Sequence, residues 1–252
     1  MATQPTLAFF GATGGCINAC LELSLKAGYH CTALARTPSK LEDMLRDHEV
    51  PEHIMARHLT IIKGNIMDVA AVQQTLFLDG RPVGLVFSGI GGKMQLGLKP
   101  TLDNPTICQD GTRTILTAAR ACQPPPRFVT LSTTGITQEE KRDLPVLMMP
   151  MYHWMLKVPH ADKKVMEELI FAEMRKPVQE RAIQDFMMIR PSLLTDGTGD
   201  GLHKIRTGTE AQPAVGYVIA RYDVGRWLFG NVVEKAGQPD APYWGQRVSI
   251  TL

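Results

Sequence analysis

The stretch Leu7-Ala8-Phe9-Phe10-Gly11-Ala12-Thr13-Gly14-Gly15-Cys16-Ile17 runs an apolar segment into three glycines, after which Ile17, Cys20, Leu21 and Leu25 recur near helical spacing. Residues of these types in this order read as an anion-binding turn between a strand and a helix, the plainer reading being an ordinary tight connection between the two. Glycines allow a bend too tight for a Cβ and let main-chain N–H groups close on a pyrophosphate, while the helix N-terminus adds partial positive charge. The candidate contacts are Gly11, Thr13, Gly14, Gly15, Cys16 and Ile17, and Gly28 stands where a helix of this length needs a left-handed cap. The pattern departs from Gly-x-x-Gly-x-x-Gly at its third position, Ile17. Glycine there ordinarily lets the helix pack closely on the strand, so the helix is expected to start higher or tilt, with Gly15 taking over part of the role.

A second signal follows the next apolar run. Ala33-Leu34-Ala35-Arg36-Thr37-Pro38-Ser39-Lys40 holds no acidic residue to accept hydrogen bonds from adenosine ribose hydroxyls. Arg36, Ser39 and Lys40 could instead hold a 2′-phosphate, which favours NADP(H) over NAD(H); the plainer role for Arg36 and Lys40 is that of solvated charges at a helix start. In Gly64-Asn65-Ile66-Met67-Asp68, Asn65 suits the adenine edge and Ile66 its face, and Asp68 reads as a helix N-cap. Ser88, Gly89 and Ile90 end a further apolar run, where backbone could approach the central ribose of the cofactor.

The elements that must position these residues alternate. Strands are expected near Leu7–Phe10, Cys31–Ala35, Leu59–Lys63, Val83–Ser88, Phe128–Ser132, Phe186–Ile189 and Arg247–Thr251. Helices are expected near Ile17–Ala27, Lys40–Arg46, Val69–Leu78, Thr106–Ala121, Ala161–Arg175 and Val224–Val233. This alternation predicts an α/β fold with a doubly wound, mostly parallel sheet of Rossmann type, helices on both faces. Residues 91–104, 135–159 and 192–216 break the pattern as long stretches rich in Gly, Pro and Met, each after an expected strand. Ligands bind beyond the carboxyl ends of such strands, so these segments are expected to wall a substrate region.

At 252 residues, without an internal linker or repeat, the chain is expected to form a single domain over 1–252. A formal net charge of +2 points to neither nucleic acid nor membrane as a bulk partner. No window has the apolar length of a membrane span, and a cytoplasmic protein is expected. Five scattered cysteines fit reduced thiols; Cys16 and Cys20 sit one turn apart without further ligands, so no metal site is expected. His48, His53 and His58 recur every five residues, which spreads them around a helix as solvated surface. A small-molecule substrate is the expected partner, and a homodimer is left open.

The chain resembles an atypical short-chain dehydrogenase/reductase, in the NAD(P)H-binding group that includes NmrA-like proteins and the biliverdin reductase B type. The resemblance rests on the Gly11-Ala12-Thr13-Gly14 turn, Ala35-Arg36-Thr37-Pro38-Ser39-Lys40-Leu41, Leu131-Ser132, Asp162-Lys163-Lys164-Val165-Met166-Glu167 and Met188-Ile189-Arg190-Pro191, in that order along nearly the whole chain. It implies the Rossmann fold, with the nicotinamide held over Ser132 and Pro191. It also implies a Ser-Tyr-Lys group: Tyr gives a proton to the carbonyl oxygen, Lys lowers its pKa and holds the ribose, and Ser orients the carbonyl. Ser132 fits the serine position, but no Tyr-x-x-x-Lys occurs. The register in which Lys is followed four residues later by Glu gives Lys164 and Glu168, which sets His160 in the place of the tyrosine. Imidazole titrates near neutrality and can donate a proton to an oxygen gaining charge, and a spacing of four puts His160 and Lys164 on one helix face. The other reading of His160 is a first-turn residue with an exposed ring. Tyr152 and His153 are further candidates, as acids or pocket wall, and Met148, Met149, Met151 and Met155 could form an adaptable apolar wall.

The expected function is an NADP(H)-dependent oxidoreductase acting on a small carbonyl or quinone-like molecule, a type of enzyme met in secondary metabolism. A non-redox isomerase or cyclase on the same fold and an NmrA-like NADP-sensing regulator are the alternatives, both favoured by the missing third glycine and tyrosine.

Overall fold

The computed structural model describes residues 4–95, 97, 100–137, 141–236, 238 and 241–252, and the side chains of Met151 and His153 lie outside that description. In chain order the elements are β1 (Leu7–Phe10), α1 (Gly15–Lys26), β2 (Cys31–Ala35), α2 (Pro38–Asp47), α3 (Glu52–His58), β3 (Leu59–Lys63), α4 (Val69–Thr75), β4 (Phe77–Leu78), β5 (Arg81–Pro82), β6 (Leu85–Ser88), β7 (Met94–Gln95) and β8 (Thr101–Leu102). There follow α5 (Ile107–Ala119), β9 (Arg127–Leu131), α6 (Met149–Met155), α7 (Lys157–Met174), β10 (Phe186–Pro191), β11 (Leu193–Thr195), β12 (Arg206–Thr209), β13 (Val218–Ala220), α8 (Arg221–Leu228) and β14 (Gln246–Thr251).

Eight strands form one sheet in the order β12-β14-β10-β9-β6-β1-β2-β3, parallel throughout except for β12. The runs Leu7–Phe10, Cys31–Ala35 and Leu85–Ser88 are buried along their whole length, as strands covered on both faces must be. Side-chain alternation splits the core into two layers. Leu7 and Phe9 pack with Leu21, Leu25, Val224 and Trp227 under α1 and α8, whereas Ala8 and Phe10 pack with Val72, Ile115 and Ile170 under α4, α5 and α7. Between the strands Phe9 stacks on Phe87, ring centroids 5.1 Å apart. β1 pairs with β2 on one side and β6 on the other, so the switch in strand order falls at its carboxyl end, directly above the glycine turn.

The doubly wound sheet agrees with the sequence pattern, and the departures have local causes. The helix expected to reach Leu78 stops at Thr75, because Phe77–Leu78 turns back on Arg81–Pro82 through Asp79 (φ 49°) and Gly80 (φ 74°), the Asp-Gly signature of a tight hairpin. A short α3 starts after Pro51; it exposes His53 but not its neighbours in the series, since His48 Nδ1 lies 3.0 Å from Glu22 and the ring of His58 sits 4.6 Å from that of His30. The three irregular stretches are not plain loops: they carry the β7–β8 hairpin, α6, and strands β11 and β12.

Candidate functional site

A cavity of about 430 Å³ opens beyond the carboxyl ends of β1, β2, β3 and β6, within the range of small-molecule sites. Gly11, Thr13 and Gly14 form its floor. Gly11 adopts φ +77°, and a Cβ there would stand 2.8 Å from the carbonyl carbon and oxygen of Gly89, so the two strand ends touch backbone to backbone. Gly14 donates its N–H to Gly11 O at 2.8 Å and caps α1, its own carbonyl accepting from Asn18 N at 2.9 Å. The fully buried Asn18 amide donates to Ala12 O at 3.0 Å and props the turn from below. Sequence reasoning passed over Asn18, although a polar residue within an apolar helical row is the signal for such a prop.

Ile17 neither lifts nor delays the helix, because α1 starts at Gly15. Its side chain is 1% exposed and occupies the room that Gly89 leaves: a Cβ on Gly89 would come within 2.3 Å of Ile17 Cγ1. The glycine missing from the turn is thus supplied across the contact, at the end of β6. Cys16 is also buried under the turn, and burial pushes its thiol up to about 12. Neither residue's side chain lines the cavity.

Leu34, Ala35, Arg36 and Lys40 line the cavity beyond β2, with Gly64, Asn65, Ile66 and Met67 beyond β3. Among the described residues neither Arg36 nor Lys40 has a carboxylate partner, and Ser39 is exposed on α2 outside the lining. Asn65 Oδ1 accepts from Met67 N at 3.1 Å, and Asp68 caps α4 through Ala70 N at 2.9 Å. Gly89, Ile90, Gly91, Gly92 and Lys93 wall the far side with Asp103, Asn104 and Ile107. Lys93, Asp103 and Asn104 lie in the 91–104 stretch expected to wall a pocket, but the β7–β8 hairpin that presents them has no periodicity to single them out. Ser88 and Pro191 are buried at strand ends and stand outside the lining.

The carboxyl ends of β9 and β10 carry the residues considered for catalysis. One row along α7 positions them. Asp162, 1% exposed, accepts from Cys108 N and Gln109 N at 2.8 and 2.9 Å and so caps α5. Lys163 places its ammonium between Ile90 O at 3.2 Å and Leu131 O at 2.5 Å, where β6 and β9 end. One turn on, Glu167 accepts from Ser132 Oγ at 2.6 Å and from Arg190 Nε and Nη2 at 3.0 and 2.6 Å. Lys164 and Glu168 are exposed. The lysine at the strand ends is therefore Lys163, one residue earlier than expected, and the step of about 100° around a helix sends Lys164 into solvent. In this register the tyrosine position falls on Pro159, which has no proton to give.

Ser132 is 5% exposed and its hydroxyl hydrogen goes to Glu167, which removes it as a donor to a carbonyl. It belongs to a buried ionic cluster in which Arg190 meets Glu167, Glu210 at 3.2 Å and Asp143 at 3.8 Å, with Arg247 paired to Glu210. Burial pushes the Asp143 carboxyl up, against the N–H of Gly135 and the charge of Arg190. Tyr152 is 2% exposed; burial raises its phenol, which shares a hydrogen bond with Thr134. His160 is half-buried rather than exposed, with its ring edge-on to Tyr152 at 5.5 Å, and both pack where a Cβ on Gly135 would be, 3.1 and 2.9 Å away. Met148, Met149 and Met155 are partly buried around this end.

A glycine-floored cavity at the switch point of a parallel sheet defines a dinucleotide-binding class of fold. Residues 11–234 match the family model described as NAD(P)H-binding, and the chain belongs to that family. It is 53% identical over 264 residues to the reductase pytE of Aspergillus terreus, with 99% of both chains covered. It is 40% identical over 271 residues to the oxidase pynE of Aspergillus niger, covering 93% of this chain and 95% of that one. Among solved structures, a short-chain dehydrogenase/reductase from Veillonella parvula in complex with NADP superposes with a TM-score of 0.69 at 13% identity, covering 99% of this chain and 95% of that one. The anaerobillin reductase ChuY of Escherichia coli O157:H7 gives 0.60 at 20% identity, covering 97% and 96%. The likeness to the short-chain dehydrogenase/reductase fold read from the motifs is confirmed. Among the described residues no helix is long and apolar enough to cross a membrane.

Proposed function

We propose that the protein is an NADP(H)-dependent oxidoreductase that reduces a small carbonyl or quinone-like molecule. The observation that carries the cofactor choice is the pair Arg36 and Lys40, lining the cavity beyond β2 without carboxylate partners among the described residues, after a strand end that holds no acidic residue. Two cations there match a 2′-phosphate, and a ribose 2′-hydroxyl would find no acceptor in their side chains. The full-length similarity to pytE and pynE, named a reductase and an oxidase, supports redox chemistry over isomerisation or sensing.

The residues fit the cofactor as follows. The backbone of Gly11–Gly14 would close on the pyrophosphate, Arg36 and Lys40 would hold the 2′-phosphate, Asn65 and Ile66 would meet the adenine, and Lys163 would hold the ribose beside the nicotinamide. NADPH supplies the hydride when bound. The substrate lies over the carboxyl ends of β9 and β10, walled by α6. With Pro159 in the tyrosine register and the Ser132 hydrogen committed to Glu167, we assign proton donation to the substrate oxygen to His160, and its ring contact with the buried Tyr152 supports that reading. Loss of NADPH absorbance with a panel of ketones, aldehydes and quinones tests the assignment. Turnover of a member with NADPH supports it, and a protein that binds NADPH yet oxidises it with no member of the panel contradicts it.

A further inference from the structure

Arg221, the first residue of α8, lies across the first turn of α1. A Cβ on Gly15 would stand 2.9 Å from Arg221 Cδ and 3.2 Å from its Cβ, so only glycine leaves room for the arginine stem. The approach is fixed one turn further along α8: a Cβ on Gly225 would come within 2.4 Å of Ala19 Cβ and 2.8 Å of Cys16 O. The two helices therefore meet backbone to backbone. Arg221, four residues before Gly225 and on the same face, is carried over the glycine turn. Its positive charge is felt beneath that turn, where it works against the burial that raises the Cys16 thiol.

The guanidinium does not point into the protein. Its Nη1 pairs at 2.6 Å with Asp196, a carboxylate that is 93% exposed, while the arginine side chain is itself 37% exposed. Asp196 rides on the segment after β11, which is anchored nearby by the N–H groups of Asp200 and Gly201 on the buried Asp223, at 2.7 and 3.1 Å. An ion pair this exposed is weak, and an arginine whose stem lies on Gly15 can exchange Asp196 for a doubly charged diphosphate bound at the glycine turn.

We propose that Arg221 is a pyrophosphate-binding residue, parked on Asp196 in the free protein and transferred to the dinucleotide as it settles on the glycine turn. This rests on the cofactor reading above and adds to it a side chain from the far end of the sequence. It also gives Asp196 a role of opposite sign, as the competitor that holds the arginine back.

The test uses the full chain and follows binding by quenching of tryptophan fluorescence or by calorimetry. Arg221→Met keeps the stem over Gly15 and removes the charge, and NADPH affinity is expected to fall about tenfold. Asp196→Asn is expected to tighten NADPH by about threefold at low salt. The fragment 2′-AMP, which carries the 2′-phosphate but no pyrophosphate, is expected to bind wild type and Arg221→Met alike. Tight wild-type binding of NADPH that is unchanged in Arg221→Met overturns this inference alone. So does a loss of 2′-AMP binding in Arg221→Met, which would mean that the whole site has shifted. A wild-type protein that bound no dinucleotide would overturn the cofactor reading together with the inference.

Discussion

Replacing Gly89 by alanine probes how this chain builds a nucleotide turn around Ile17. The new methyl carbon would stand 2.3 Å from Ile17 Cγ1, 3.2 Å from Ile17 Cδ1 and 3.3 Å from Leu131 Cδ1, where carbon atoms rest at roughly 3.5–4.0 Å. Ile17 cannot swing aside easily, since it is 1% exposed and β-branched on a helix. Gly89→Ala alone should therefore cost about 3 kcal/mol, the upper end of overpacking. It should also weaken NADPH binding, because Gly89 and Ile90 line the cavity. Ile17→Ala alone opens a void in the core and should cost about 2–5 kcal/mol. In the double variant the methyl added at position 89 enters that void, so the pair should fall short of additivity by about 2 kcal/mol and recover cofactor affinity. Urea denaturation and NADPH titration of the four proteins complete the cycle. Additive losses, with cofactor binding no better in the double variant than in Gly89→Ala, would refute the reasoning.

Lys163→Ala should destabilise the protein and weaken NADPH by about tenfold or more, because two strand-end carbonyls lose their donor, whereas Lys164→Ala should change neither melting temperature nor affinity. His160→Ala should lower kcat by about a hundredfold with NADPH affinity nearly unchanged, and a loss below about threefold would leave water as the proton source. Burial raises Glu173, but its hydrogen bonds from Lys176 and Ala182 N–H and the charge of Arg120 win, and hold it below the usual glutamate range. Its stabilising contribution is thus present above that range and lost as pH falls below it, so Glu173→Gln should lower the melting temperature near neutrality, and the gap to wild type should narrow as pH falls below the usual glutamate range.

The sheet was legible because its strands are short, continuous apolar runs between amphipathic helices, and β1, β2 and β3 have the bounds that the pattern predicts. The catalytic end was harder for a specific reason. Adjacent lysines at 163 and 164 and adjacent glutamates at 167 and 168 satisfy the same spacing twice. What separates the registers is a non-local partner: Arg190, at the carboxyl end of an apolar strand, demands a buried carboxylate, and of the two glutamates it is Glu167 that faces it. The same holds for Ile17, whose fit depends on Gly89 across the contact, and for Arg221, which arrives over the turn by helix docking. The Asp79-Gly80 hairpin, by contrast, carries its signal in local turn chemistry, which the helix expected to run to Leu78 overrode.

The central claim is that Arg36 and Lys40 select a phosphorylated dinucleotide, and the most direct test compares NADPH and NADH affinities for the wild type and for Arg36→Ala/Lys40→Ala by fluorescence titration. The wild type should prefer NADPH by at least about tenfold, and the double variant should lose most of its NADPH affinity while holding NADH as before. Equal wild-type affinities, or equal losses for both cofactors in the variant, would contradict the account.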